Sequence, residues 1–156
     1  MEKKLTDIKE VGEFGLIERL SSMIKTRHPE TEKGIGDDAA VIKSNGNQLV
    51  VTTDMLTEGV HFDLTYMPLK HLGYKAVVVN LSDVYAMNAV PKQITVSIGL
   101  SSQFSVEHVE EIYKGIIKAC EVYNVDIIGG DTVSSINGLV ISITAIGVCD
   151  QGKPVY

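Results

Sequence analysis

The sequence predicts an α+β domain in which helices pack on a mixed or mostly antiparallel sheet. Three observations carry this. Apolar residues recur with a helical period in some stretches and alternate or run together in others. The pair Asn45-Gly46, the strongest short-range hairpin signal in the chain, separates two β-like runs. The 156 residues, 44% of them hydrophobic, suffice for one real core.

Taken in order, residues 13–24 place Phe14, Leu16, Ile17, Leu20, Met23 and Ile24 at helical spacing, a first amphipathic helix. Thr26 to Lys33, with Pro29, reads as a loop. GIGDDAAVIK and QLVVTTDM follow as the two strands of the hairpin. Residues 70–87 contain Val77-Val78-Val79, which favours a strand by composition. Length, the Pro68 start and the Pro91 stop favour a helix there. QITVSIGL alternates Ile94, Val96 and Ile98 as a strand. Residues 105–124 put Val109, Ile112, Ile116, Cys120 and Tyr123 on one helical face, with Ser105 as N-cap and Glu107 in the first turn. VDIIGGDT reads as a short strand ending in a glycine turn, and GLVISITAIGVC as a longer strand.

Composition removes several classes. Lys+Arg 14 against Asp+Glu 20 gives a net charge of −6 with no basic stripe, which argues against a nucleic-acid partner. No run approaches the roughly 20 apolar residues that span a bilayer, and MEKKLTDIKEVGEF puts charges where a signal peptide needs its apolar region, so a cytoplasmic location without membrane partners is expected. Cys120 and Cys149 lie in apolar-periodic segments without metal-ligand spacing and read as buried thiols. P-loop, HExxH, GxSxG and calcium-loop patterns are absent. Residues 34–39 fit a relaxed GxGxxA pattern, but a charged loop precedes them and a β run follows, the wrong context for dinucleotide binding.

The aspartates are unevenly placed. Asp37 and Asp38 enter a strand side by side, so they point to opposite faces. Thr52, Thr53 and Asp54 supply two hydroxyls and a carboxylate at the end of an apolar strand, hard oxygen donors of the kind Mg²⁺ takes. Asp83 shares a face with Asn80 on an otherwise apolar helix, where a carboxylate needs a cation or hydrogen bonds. Asp131 follows two glycines at a strand end, where backbone N–H groups approach a phosphate readily. A turn, a strand cap or a solvated face would account for each segment singly. Together they describe a carboxylate site that holds polyphosphate through divalent cations.

In order, GEFGLIERL, GIGDDAAV, TTDMLTEGVHF, GYKAVVVNLSDVYAM and IIGGDT resemble the N-terminal domain of the thiamine-monophosphate kinase (ThiL) family, from about Gly12 to the C-terminus. That family belongs to the superfamily of aminoimidazole ribonucleotide synthetase, selenophosphate synthetase and a hydrogenase-maturation protein. The resemblance implies an aminoimidazole ribonucleotide synthetase N-terminal-domain-like fold, dimerisation through this domain, and transfer of the ATP γ-phosphate to thiamine monophosphate. Carried onto matching positions, it implies that Asp38, Thr52, Thr53, Asp54, Asp83 and Asp131 ligate several Mg²⁺ ions. It further implies that His61 contacts the thiamine phosphate and that Gly130, Asp131 and Tyr113 contact ATP. No general base is expected, since the acceptor phosphate is already ionised and orientation with charge neutralisation carries the rate.

Two departures matter. Tyr85-Ala86-Met87-Asn88-Ala89 stands where family members commonly show Ala-Ala-Met-Gly-Ala. The chain ends at Lys153-Pro154-Val155-Tyr156, where the family continues with an ATP-contacting arginine and a second domain. Residues 1–156 are therefore expected to form a single N-terminal ATP- and Mg²⁺-binding, dimerising domain without turnover of its own. The alternatives are another ATP-dependent member of the superfamily, or a dimerisation module with no catalytic role. The selenophosphate-synthetase pattern is disfavoured because no cysteine stands near the N-terminus.

Overall fold

A computed structural model describes residues 8–24, 27–35, 37–44, 47–149 and 154–155. Its elements are α1 (Ile8–Ser21), β1 (Thr31–Lys33), β2 (Ala40–Ser44), β3 (Asn47–Thr57), α2 (Leu69–Ala86), β4 (Val90–Leu100), α3 (Val106–Tyr123), β5 (Asp126–Ser134) and β6 (Leu139–Cys149). The strands form one sheet in the order β1-β2-β3-β6-β4-β5. Every neighbouring pair is antiparallel except β4–β5, joined by the α3 crossover. The mixed α+β sheet predicted from the sequence is the one observed.

Strand alternation sorts the core. On β6, Leu139, Ile141, Ile143 and Ala145 are buried while the residues between them are half-exposed, so α2 and α3 cover one sheet face and leave the other open. The α2 run resolves as helix because Val77 is fully buried and Val78 and Val79 only half so, a helical rather than an alternating pattern. Ser105 is the N-cap of α3 and its N–H donates to His108 Nδ1 at 3.2 Å. Asn124 ends that helix in the left-handed conformation. The Asn45-Gly46 turn lies outside the described residues, but Ser44 pairs with Asn47 on either side of it.

Four expectations change. The first helix begins earlier, at Ile8, and breaks its regular path at Gly12 (φ 68°). Its apolar stripe is not buried: Phe14 is 86% exposed and Met23 75%. Residues read as loop contain the short strand β1, an edge strand too brief to show alternation. β5 runs through Gly129-Gly130 to Ser134 instead of turning there, because the parallel ladder with β4 continues and only a bulge opposite Ile94/Thr95 absorbs the extra residue. In the 85–89 stretch, Met87 and Ala89 are buried, and Asn88 adopts φ 56°, the region a glycine takes without strain.

Both cysteines are buried thiols outside any disulfide. Burial, with a smaller contribution from the Asp126 charge, pushes the Cys120 thiol up to about 11. The group's stability contribution is therefore complete below the unfolded thiol value near 8.5 and is lost as pH rises towards 11. At pH 7.5 we expect iodoacetamide to modify Cys120 at least ~100-fold more slowly in the native chain than in urea. Equal rates by peptide mass spectrometry would contradict the burial.

Candidate metal and phosphate site

The site follows from an edge problem. β2 pairs with β3 only as far as Val51, so beyond it backbone groups on that side of β3 need other partners. The Asp54 N–H finds one in Asn80 Oδ1 on α2, at 2.9 Å. Asn80 is 1% exposed and is held by its own Nδ2–H donating to the Ala76 carbonyl at 3.0 Å. One helical turn on, Thr52 Oγ1 donates to Asp83 Oδ2 at 3.2 Å. At the other end, Lys75 Nζ donates to the His61 carbonyl at 2.8 Å. β3 and its following turn thus run antiparallel to α2, tied by Thr52–Asp83, Asp54–Asn80 and His61–Lys75.

Asp83 is half-buried on this seam. Burial raises its carboxyl above the usual range, the Asp54 charge adds to this, Thr52 opposes it, and Asp38 contributes a further rise. Asp38 reaches the cluster from the loop before β2, beside Asp37, which pairs with Lys33 at 3.3 Å. Asp37, Asp38 and Thr52 line a cleft of about 590 Å³ that opens towards Phe14 and Ile17 of α1. Oxygen-only donors, and acids that repel one another at a half-buried carboxylate, fit a hard divalent cation such as Mg²⁺ and not a softer metal. Among the described residues no three carboxylate, imidazole or thiol groups converge closely enough to hold a metal alone.

The structure therefore sets Thr52, Asp54 and Asp83 along one seam, with Asp38 near enough for its charge to bear on Asp83 and His61 further along. It leaves Gly130, Asp131 and Tyr113 apart. Thr53 borders the same cleft as Asp38 and Thr52, but its hydroxyl turns to the opposite sheet face, where it donates to the Ile143 carbonyl at 3.1 Å and accepts from Thr144 Oγ1 at 3.2 Å. Gly130 and Asp131 lie on β5, three strands from β3, or about 14 Å at ordinary strand spacing. Asp131 pairs with Ser97 and lines a shallow cavity with Met55 and Ser142 on the open face. Tyr113 packs half-buried against the core from α3. Sequence reasoning missed the parts played by Asn80 and Lys75. A buried amide in an apolar helix was a readable signal for Asn80; nothing in the sequence marked Lys75.

This sheet, with two helices on one face and a carboxylate seam along β3, defines a recognised class of domain. The chain belongs to the family described as AIR synthase related protein, N-terminal domain, which matches residues 36–149. Within that class it is similar to thiamine-monophosphate kinases. That of Bacillus subtilis (strain 168) is 38% identical over 144 residues, covering 92% of this chain and 44% of the relative. That of Aquifex aeolicus (strain VF5) is 39% identical over 144 residues, with the same coverage of each. The chain thus spans less than half the length of these curated relatives. A solved structure described as AaThiL complexed with AMPPCP and TMP superposes with a TM-score of 0.84 at 36% identity, covering 94% of this chain and 45% of that one. A HypE–HypF complex, at 24% identity and a TM-score of 0.67, covering 89% of this chain and 43% of that one, shares the fold.

Proposed function

We propose that this chain is the N-terminal, Mg²⁺- and ATP-binding part of a thiamine-monophosphate kinase. The observation that carries the reading is the β3–α2 seam, where Thr52 donates to half-buried Asp83 and the Asp54 and Asp38 charges bear on that carboxylate, in a chain 38% identical to a protein of that name. A phosphate oxygen of thiamine monophosphate attacks the ATP γ-phosphorus, the bond to the β-phosphate oxygen breaks, and ADP leaves. Mg²⁺, when bound, neutralises the charge of the phosphates and the developing charge on the leaving oxygen. Asp38, Asp54 and Asp83 would hold it, and Asn80 fixes the Asp54 backbone so that the two β3 donors keep their spacing. The acceptor is ionised at neutral pH, so no side chain need remove a proton. Thr53 adds to the wall of the cleft beside Thr52, and Gly130, Asp131 and Tyr113 would join the site only through a nucleotide, cations or further protein that spans the distance.

The test is conversion of thiamine monophosphate and ATP to thiamine diphosphate by the whole protein that carries this chain. Turnover is expected with Mg²⁺ and is expected to vanish in EDTA. A folded whole protein that makes no thiamine diphosphate at saturating Mg²⁺ would sink the reading.

A second reading applies to the 156 residues alone, as a dimerising module without turnover. The uncovered sheet face favours it: Met55 is exposed, and Val140, Ile146 and Val148 are half-exposed along the same face. A second copy laid on this face would cover them. Sedimentation equilibrium of the chain is expected to give a dimer; a monomer at tens of micromolar would overturn this.

No helix among the described residues is long and apolar enough to cross a membrane. A cytoplasmic location is proposed together with the kinase reading.

A further inference from the structure

A second cavity, of about 410 Å³, lies where the chain leaves β3, enters α2 and enters α3. It shares no lining residue with the cleft beside Asp38 and Thr52. Leu64, Met67, Leu69 and Phe104 form its apolar wall, each half-buried and packed against the core. Local turns hold that wall in place. Asp63 Oδ1 accepts from the Thr65 N–H at 2.8 Å, the Asp63 carbonyl from the Met67 N–H at 3.0 Å, and the Ser101 carbonyl from the Phe104 N–H at 3.1 Å.

Three polar side chains, Glu58, Gln103 and His108, complete the lining. Glu58 is half-buried; its Oε2 accepts from the Leu139 N–H at 2.8 Å while its own N–H donates to the Leu139 carbonyl at 3.0 Å. The carboxylate is therefore fixed in position, so closely that a Cβ on Gly138 would lie 2.8 Å from Oε2. Among the described residues no lysine or arginine pairs with it, and Oε1 has no hydrogen-bond donor. His108 Nδ1 accepts from the Ser105 N–H at 3.2 Å, so the neutral ring carries its proton on Nε2. Phe104 meets that ring edge-on, with centroids 6.0 Å apart.

We propose that this cavity is a binding site for a small organic ammonium ion, whose charged head meets Glu58 Oε1 and whose apolar body lies on Leu64, Met67 and Phe104. The charge follows from the carboxylate: half-buried and without a cation, it has lost hydration that a paired ammonium returns, and an anion would face a like charge. The body follows from the wall, since cavities of roughly 300–1,000 Å³ with apolar and aromatic linings and a few fixed polar groups are those that take small molecules. An aromatic face adds attraction for the same charge. The neutral imidazole and the Gln103 amide orient the ligand without adding charge. One carboxylate in an apolar surround is a poor seat for a bare divalent ion, which takes six or more oxygens. The proposal is independent of the kinase reading, which uses none of these residues.

A ¹H–¹⁵N NMR titration of the chain with phenethylammonium, and with 3-phenylpropionate as its anionic counterpart, tests this. The amine is expected to shift the Leu64, Phe104 and Leu139 amides saturably, half-maximally at about 1 mM, and the anion to shift none of them. Glu58→Gln keeps an acceptor for the Leu139 N–H and is expected to weaken the amine at least tenfold. Met67→Trp, which fills the cavity from the loop, is expected to abolish saturation. Equal affinity for the two probes, an undiminished response in folded Glu58→Gln, or shifts confined to other amides would overturn the site. Should Glu58→Gln not fold, Met67→Trp decides, and a retained amine response there rejects the cavity. A saturable amine response in a chain whose whole protein makes no thiamine diphosphate leaves the site standing and sinks only the kinase reading; no response beside full kinase activity does the reverse.

Discussion

Replacing Asp83 by Asn in the whole protein is expected to cut Mg²⁺-dependent turnover by about 100-fold or more, without lowering the melting temperature measured in EDTA. The two halves come from the same geometry. Thr52 Oγ1 donates to Asp83 Oδ2 at 3.2 Å, and burial with the Asp54 and Asp38 charges disfavours ionised Asp83. Without a cation, that carboxylate is a repulsive centre on the β3–α2 seam. An Asn of the same shape keeps the Thr52 partner and removes one of three like charges, so the folded chain loses nothing. With a cation the balance reverses, because the ion's charge stabilisation of the transferring phosphoryl group is worth several kcal/mol and each 1.36 kcal/mol is tenfold in rate. Millimolar Mg²⁺ is accordingly expected to raise the melting temperature of the unsubstituted chain by several degrees and to do little for Asp83→Asn. Wild-type turnover from the variant, or a melting point several degrees lower in EDTA, would refute the placement of Asp83.

Much of this seam was legible in the sequence, for reasons that can be stated. The hairpin was marked by Asn45-Gly46 between two apolar runs, and β2 and β3 pair on either side of it. Asp83 declared itself as a carboxylate on an apolar helix, and Thr52, Thr53 and Asp54 together as oxygen donors at a strand end. Strand neighbours face opposite ways, a distinction that the donor pattern leaves out for Thr53; the structure shows its hydroxyl on the Ile143 carbonyl. Other features depend on partners that pattern does not reveal. The α1 stripe has clear helical spacing, but spacing says nothing about what lies opposite, and Phe14 stands in solvent. Gly129-Gly130 has the composition of a turn, yet a parallel neighbour carries the strand through it. The Lys75–His61 bond spans 14 residues and two elements, and no local pattern encodes it.

Gly115→Val is expected to damage stability severely, costing about 3 kcal/mol or more, which at this chain length is roughly a 10 °C fall in melting temperature. α2 and α3 cross with their backbones in contact: a Cβ on Gly115 would lie 1.9 Å from the Lys70 carbonyl oxygen, and one on Gly73 would lie 2.0 Å from that of Ile112. Neither neighbour is a flexible side chain, so relief means moving a helix. Gly129→Ala is the matched control, since a Cβ there meets nothing within 4 Å, and its effect should stay within about 0.5 kcal/mol. The consequence extends to the site. Lys75, Asn80 and Asp83 all follow the crossing on α2, and restoring ordinary contact at 3.4 Å would displace that helix by more than an ångström. Hydrogen bonds of 2.9 Å to Asp54 and 3.2 Å to Thr52 do not survive such a shift. A Gly115→Val chain that still folds at low temperature should therefore also lose its Mg²⁺-induced rise in melting temperature, although the substitution touches no carboxylate. Retention of the full Mg²⁺ response in the destabilised variant would show that the cation is held independently of the α2–α3 crossing, and urea titrations of Gly115→Val and Gly129→Ala, each with and without Mg²⁺, decide the point.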